Sequence, residues 1–451
     1  MPIHIVSSIR RVSSKINTSR LRRLAKEGTW IIVGQIAVVL GSLVLVRVLT
    51  EFLTPTEYGQ LALGLTLVAL FGQVVFGGLV AGISRYYAIA FEKQDLYGYL
   101  AASRRLLFYG TGVAVAIGSV AAFGATSFGY SQWFGIALAA TLLAVLVGYN
   151  STLNGIQNAA RQRAIVALHS GLNAWLKIGL AVALLLWLGT SSVTVILGFA
   201  ASAFLVTLSQ LVFLRRTIRP LPAGSPPPRV GDWPAKIWIY SWPFSTWGVF
   251  TWMQQVSDRW ALGIYGSTQD VGYYAVVFQL GYTPITLILG LAMTFLAPIL
   301  FHRAGDATSV ARNENVAQII WRITIVALLG TGAAVLATSF LHHWLFSVLV
   351  AAEFRWISYL LPWVILAGGI FAAGQMLSLK LMSEMKAREL LFPKIVTALA
   401  GVCLNVLGAA VAGVEGVVAA MVAFSMIYLA WIILLARRKG CVANESRAIQ
   451  T

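Results

Sequence analysis

Ionisable side chains are what this sequence has least of. Asp, Glu, Lys and Arg make up 11% of its 451 residues, where a soluble chain carries about 25%. That deficit excludes an ordinary soluble core with one membrane anchor. Cysteine is nearly missing as well. Cys403 lies in an apolar run and Cys441 in the tail, so neither a disulfide framework nor a ligand cluster can be built. A cleavable signal peptide is also not in evidence: some 28 polar residues precede a full-length apolar run, and no small-residue cleavage site follows it. No cofactor or metal is expected.

What the chain has in abundance is apolar sequence, 59% hydrophobic residues with a mean hydropathy of +0.81. A bilayer span needs about 20 apolar residues. Runs of that kind fall near 29–50, 60–83, 105–126, 132–155, 164–188, 193–214, 238–262, 271–300, 319–341, 357–380, 391–411 and 414–436. In lipid a backbone must satisfy its own hydrogen bonds, so each run is expected to be a helix. The expected fold is an all-α polytopic membrane protein of about twelve transmembrane helices.

The net charge of +18 would suggest nucleic acid in a soluble protein. Its placement argues otherwise. Of the 33 Lys and Arg, 29 fall on one side of an alternating twelve-span arrangement, from Arg10, Arg11 and Lys15 in the N-terminal tail to Arg437, Arg438, Lys439 and Arg447 at the end. The loops on the other side carry Glu51, Glu57, Asp270, Glu353 and Glu415. Basic residues in short loops mark the cytoplasmic side, which puts both termini there and implies no nucleic-acid partner.

Five segments follow: a basic tail 1–28, a six-helix lobe 29–214, a Pro-rich linker 215–237, a second six-helix lobe 238–436 and a tail 437–451. Ile5, Ile9, Val12 and Ile16 recur at helical spacing between basic residues. They fit an amphipathic helix on anionic lipid and equally a disordered basic tail. Pro220, Pro222 and Pro226 to Pro228 favour an extended linker conformation.

The lobes resemble each other. Glu57-Tyr58-Gly59-Gln60-Leu61-Ala62 and Asp270-Val271-Gly272-Tyr273-Tyr274-Ala275 share an acid, a Gly and an Ala at the same spacing. Arg47 precedes the first acid by ten residues and Arg259 the second by eleven. Both loops lie on the same side, so the repeat is parallel, with its axis along the membrane normal and a site between the two lobes.

Four basic residues fall outside the cytoplasmic loops: Arg47, Lys177, Arg259 and Arg355. Lys177 sits at mid-span, where a cation costs about 2.5–3.5 kcal/mol; a wet cavity or a carboxylate is expected to offset it. Arg47 and Arg259 lie near an interface, where either could snorkel. Arg85 ends the second span, and Arg355 falls in a loop. Asp258 and Arg259, one apart on a helix, are expected to serve different partners. Asp258 and Arg47 are expected to pair as a gate. Lys177, Arg47, Arg259 and Arg85 together form a candidate cationic cavity for a phosphate-bearing, lipid-tailed substrate.

Arg47-Val48-Leu49-Thr50, Pro55-Thr56-Glu57-Tyr58-Gly59 and Gly82-Ile83-Ser84-Arg85-Tyr86 resemble the N-terminal lobe of the polysaccharide transport family. These are the Wzx-like O-antigen and exopolysaccharide flippases of the multidrug/oligosaccharidyl-lipid/polysaccharide exporter superfamily. Ser257-Asp258-Arg259-Trp260-Ala261-Leu262, Asp270 to Ala275, Leu404-Asn405-Val406 and Gly413 to Ala420 are similar too. The resemblance covers about 25 to 438. It implies two MATE-like, pseudo-symmetric lobes around a central cavity in a bacterial inner membrane, and alternating access that flips an undecaprenyl-pyrophosphate-linked glycan outward. It also implies cationic roles for Arg47, Arg85 and Arg259, with membrane lipids, a polysaccharide polymerase and glycosyltransferases as partners.

Three other readings compete. A multidrug or cation exporter needs a carboxylate deep in a lobe, and Asp258, Glu415 and Glu51 are all expected near the outer surface. A membrane polymerase or ligase needs a sizeable outer loop, and the longest, about 342–356, is short. His342 and His343 lack the spacing and further ligands of a metal site. A purely structural scaffold does not account for Lys177.

Overall fold

An apolar run with no outside partner for its peptide groups closes them on itself, and the structure follows that rule. This computed structural model describes residues 29, 33–217, 231–305 and 309–437; the basic N-terminal stripe, most of the Pro-rich linker and the C-terminal tail lie outside them. Among the described residues every regular element is helical. Ten helices are long and apolar enough to cross a membrane.

In chain order the helices are α1 (Val33–Phe52), α2 (Pro55–Glu92), α3 (Leu96–Ser127), α4 (Trp133–Ala159), α5 (Arg163–Leu188) and α6 (Ser192–Thr217). They continue with α7 (Trp233–Tyr265), α8 (Thr268–Ala304), α9 (Val310–Leu349), α10 (Leu361–Ser383) and α11 (Leu391–Arg437). Several overrun the spans expected from hydropathy, because a helix closes its own hydrogen bonds beyond the end of its apolar stretch. Trp233–Tyr265 is long enough but too polar to count among the ten.

The last helix is a hairpin. Ala412 and Gly413 leave helical geometry, with Gly413 at φ +55°, a conformation that suits a residue without Cβ. On either side Gly408 and Gly416 meet backbone to backbone: a Cβ on Gly408 would stand 2.3 Å from the Gly416 carbonyl oxygen. The two expected spans 391–411 and 414–436 are the arms of this hairpin.

Helix starts follow capping chemistry. Ser267 accepts from the Asp270 N–H at 3.1 Å while Asp270 accepts from the Ser267 N–H at 2.9 Å, a full capping box. The equivalent Thr54 accepts from the Glu57 N–H at 3.3 Å, followed by Pro55 at the first helical position. The acid of the second repeat is therefore a helix-cap residue, and that of the first occupies the same position in its helix. Partway along, α2 changes from α to π geometry over Phe71–Gly77, where hydrogen bonds that reach one residue further along the chain shift the faces of the helix.

Two compact units form, and they do not divide at the linker. One comprises Met1–Leu45 and Leu67–Val249, the other Val46–Thr66 and Phe250–Thr451. Within the first, α1 packs on α5 through small residues: Gly34 faces Ala167, Gly41 faces Ala174 and Gly171 faces Ala37. Lacking a hydrophobic drive in lipid, helices approach where side chains are small. The first part of α7 joins this unit because Gly78 and Gly82 of α2 meet Ser245 and Ser241. Its core gathers Phe71, Phe76, Ile83, Tyr99 and Ile237.

Within the second unit the two repeat motifs pack on each other. A Cβ on Gly59 would lie 1.8 Å from the Thr268 carbonyl oxygen, and one on Gly272 would lie 1.9 Å from that of Pro55. Each glycine thus faces the residue four before the other, the reciprocity that a two-fold relation demands. That close approach draws Val46–Thr66 into the unit whose remaining chain begins at Phe250. A separate core of Leu300, Val316, Leu377, Tyr428 and Ile432 supports α8 to α11.

Candidate functional site

Lys177 lies on α5 within the first unit, on the face that carries His169 and Asn173 at four-residue spacing. All three side chains meet α6. The Lys177 ammonium sits 4.8 Å from the centre of the Phe199 ring. Asn173 accepts from the Ser202 hydroxyl at 2.9 Å. His169, buried, places Nδ1 2.8 Å from the Ile165 carbonyl oxygen and Nε2 3.0 Å from the Ser209 hydroxyl. The carbonyl can only accept, so Nδ1 carries a proton.

The expected carboxylate is missing: among the described residues none forms an ion pair with Lys177. A cation–π contact contributes about 0.5–2 kcal/mol against an insertion cost of about 2.5–3.5 kcal/mol. Phe199 therefore offsets only part of that cost.

A second polar row lies between α4 and α6. Asn150 donates to the Ala203 carbonyl at 3.1 Å and Gln210 donates to Asn154 at 2.8 Å. Gln157, three residues further along, is 0% exposed, and neither its amide oxygen nor its nitrogen has a hydrogen-bond partner.

In the second unit the expected Asp258–Arg47 gate does not form. Arg47 donates instead to Glu51, one turn on, at 2.6 Å, and its Nη1 is buried without a partner. The Asp258 carboxylate accepts from the Tyr274 hydroxyl at 2.6 Å and from the Arg259 N–H at 2.7 Å. Adjacent charges were expected to diverge. Yet Arg259 Nη1 reaches 3.8 Å from Asp258 Oδ1, because the carboxylate folds back over its own helix toward the next residue. The same guanidinium donates to the Gln255 carbonyl at 3.2 Å and stacks 4.6 Å over Phe278. Asp258 is 6% exposed, inside the packing of α7 on α8: hydropathy does not show which helix face is covered.

The remaining cations divide simply. Arg85 is exposed on α2. Arg355, in the 3-10 segment Ala352–Leu360, donates to the Val350 and Ser347 carbonyls at 3.2 and 3.1 Å, which caps the end of α9. The candidate cations do not gather into one cluster inside either unit: Lys177 and Arg85 belong to the first, Arg47 and Arg259 to the second. His342 and His343 lie ring against ring at 4.1 Å, with His342 Nδ1 3.0 Å from the Ser358 hydroxyl. Among the described residues no group of three or more His, Cys, Asp or Glu is placed to hold a metal.

Two tethers escaped sequence reasoning. Trp233 donates to Asp95 at 2.6 Å, joining the start of α7 to the cap of α3. Thr66 takes two indoles, Trp252 on its carbonyl at 2.8 Å and Trp260 on its hydroxyl at 3.0 Å, a few residues before the π segment. A Trp in an apolar run reads as ordinary packing; only the fold shows where its N–H goes.

Comparisons with known proteins now bear on this arrangement. A family model described as "Polysaccharide biosynthesis protein" matches residues 24–304. No curated protein matches the chain significantly. Among solved structures, the lipid II flippase MurJ in an inward closed conformation is similar at a TM-score of 0.68 and 12% identity, over 92% of this chain and 87% of that one. An inward-facing multidrug resistance MATE family transporter of the MOP superfamily has a TM-score of 0.65 at 13% identity, over 89% and 94%. A Vibrio cholerae MATE transporter, VcmN, has 0.58 at 12%, over 93% and 97%. At such identities the likeness is one of fold.

Proposed function

As the chain belongs to the polysaccharide biosynthesis protein family, we propose that it moves a lipid-linked oligosaccharide from the inner to the outer leaflet by alternating access. The cargo in this reading carries an undecaprenyl-pyrophosphate anchor destined for O-antigen, capsule or exopolysaccharide. The membrane is the bacterial inner membrane, with both termini cytoplasmic as the basic loops dictate. A polysaccharide polymerase and glycosyltransferases are its natural partners.

One observation carries the reading: Lys177, a mid-span cation that lies against the face of Phe199 and, among the described residues, has no carboxylate partner. A cargo phosphate supplies the missing counter-charge during transit, and its departure restores a site that binds again. Arg47, with a buried and unpartnered Nη1, offers a second guanidinium donor, and Arg85 is exposed and open. Arg259 is already committed to Asp258, Gln255 and Phe278, so its part is to hold α7 on α8 more than to grip cargo.

The test follows lipid-linked oligosaccharide accumulating on the inner leaflet in cells carrying Lys177→Ala or Lys177→Arg. Loss of a charge-assisted contact predicts at least about a tenfold fall in translocation for Lys177→Ala, with partial recovery in Lys177→Arg. Normal translocation by Lys177→Ala would sink the cationic mechanism.

A cation or multidrug exporter is the second reading, and the buried Asp258 carboxylate favours it. That carboxylate is already satisfied by Tyr274 and Arg259, which leaves it poorly placed to take a cation. Asp258→Asn separates the two: an exporter loses drug-stimulated cation exchange, whereas a flippase with Asp258 as a structural anchor loses stability.

A further inference from the structure

The segment between α9 and α10 is built to hold a surface still. Arg355 pins it to the end of α9, and the Ala351 N–H donates to the Thr50 hydroxyl at 3.1 Å. Phe354 is buried between Tyr58 and Tyr273, with ring centres at 5.7 and 5.8 Å. On that support, two aromatic rings face outward. Trp356 is 53% exposed and Tyr359 39% exposed. Trp356 meets Tyr273 at 4.9 Å and 84° and lies 6.5 Å from Tyr359.

Polar groups border these rings at hydrogen-bonding distance. The Tyr359 hydroxyl donates to Glu415 at 2.6 Å, and Gln269 donates to the Tyr273 hydroxyl at 2.9 Å. Both Glu415 and Gln269 are exposed and keep free lone pairs or N–H groups. Glu353 adds a further exposed carboxylate within the segment.

We propose that Tyr273, Trp356 and Tyr359, with Gln269 and Glu415, form a glycan-binding platform that receives the sugar portion of the cargo; this rests on the flippase reading above. A pyranose ring has one face of C–H groups and a rim of hydroxyls. The C–H face seats on an electron-rich indole or phenol. Carboxylates and amides take the hydroxyls, the carboxylate through the stronger charge-assisted bonds. The carboxylates also decide which part of the cargo binds, because they repel pyrophosphate. Phosphate and sugar thus have separate recognition chemistries in this protein, cationic at Lys177 and acidic-aromatic here. A membrane-interface row of aromatics explains the exposed rings but not the paired carboxylate and amide beside them.

The experiment uses the purified full-length chain in detergent. Its probe is the oligosaccharide released by mild acid from the source organism's own lipid-linked carrier. Saturation-transfer NMR reads contact with the sugar ring protons. The signal falls about fivefold in Trp356→Ala, the size an aromatic contact carries, and falls in the shape-preserving Glu415→Gln. It is unchanged in Trp187→Ala, a control on α5 that is 82% exposed. No transfer in the unaltered protein, or transfer in Trp356→Ala and Glu415→Gln as strong as in the unaltered protein, overturns the platform and leaves a lipid-facing aromatic row. Translocation by reconstituted vesicles is measured in parallel. Its absence from the unaltered protein defeats the flippase reading, whereas its presence alongside unaltered sugar contact in Trp356→Ala defeats only the platform.

Discussion

Adding one methyl group at Gly272 tests the reciprocal packing most directly. The Cβ of Gly272→Ala would stand 1.9 Å from the Pro55 carbonyl oxygen, and that of Gly59→Ala 1.8 Å from the Thr268 oxygen. Real contacts of this type stay beyond about 3 Å, so the starts of α2 and α8 must separate by more than 1 Å in either variant. Both obstacles are backbone atoms at capped helix starts, which cannot rotate away. Overpacking in a close-packed interface costs about 1–3 kcal/mol, and these sites belong at the upper end because the separation also loosens neighbouring contacts. Gly290→Ala on the same α8 is the internal control. Nothing lies within 4 Å of its Cβ, and helix propensity predicts a gain of about 0.5–1 kcal/mol. Reversible unfolding in mixed detergent micelles would give the three free energies. The double variant Gly59→Ala/Gly272→Ala is expected to cost less than the sum, since the first substitution already opens the gap. Equal stability of Gly272→Ala and Gly290→Ala would refute the reasoning.

Other consequences can be checked with the same preparation. Tyr274→Phe removes a 2.6 Å bond to the buried Asp258 carboxylate and is expected to cost about 1.5–3 kcal/mol; a change under half a kcal/mol would mean the carboxylate is satisfied by other means. Gln157→Met replaces an unpartnered buried amide with an apolar side chain of similar size. It is expected to be neutral or to stabilise by about 1 kcal/mol, and a loss of 2 kcal/mol or more would show that the amide has a partner in the membrane.

Much of the architecture was legible because membrane helices obey strong local rules. The length of each apolar run predicts a helix, and all the runs expected within the described residues are helical. The matching motifs around Gly59 and Gly272 were legible too, and the structure packs them against each other. Their chemistry was misjudged by omission: Thr54-x-x-Glu57 and Ser267-x-x-Asp270 are capping boxes by spacing, a pattern that sequence alone displays. Lys177 could be singled out because a mid-span cation is costly wherever it points.

Side-chain partners were a different matter. Hydropathy is a function of position along the chain, whereas pairing depends on rotation about each helix axis and on which helix lies alongside. Arg47 therefore turned to Glu51, and Asp258 to Tyr274, although both were expected to meet each other. The compact units were hidden for a related reason. The Pro-rich linker was expected to separate two halves, whereas contacts are made where small residues let backbones approach. Val46–Thr66 consequently packs with the chain from Phe250 onward, and the start of α7 packs with α2. The sequence by itself determined that this is a helical membrane protein, because hydrogen bonding in lipid leaves no other choice. Only the tertiary structure decided which charges stay unpaired, because that is settled by which faces of the helices meet.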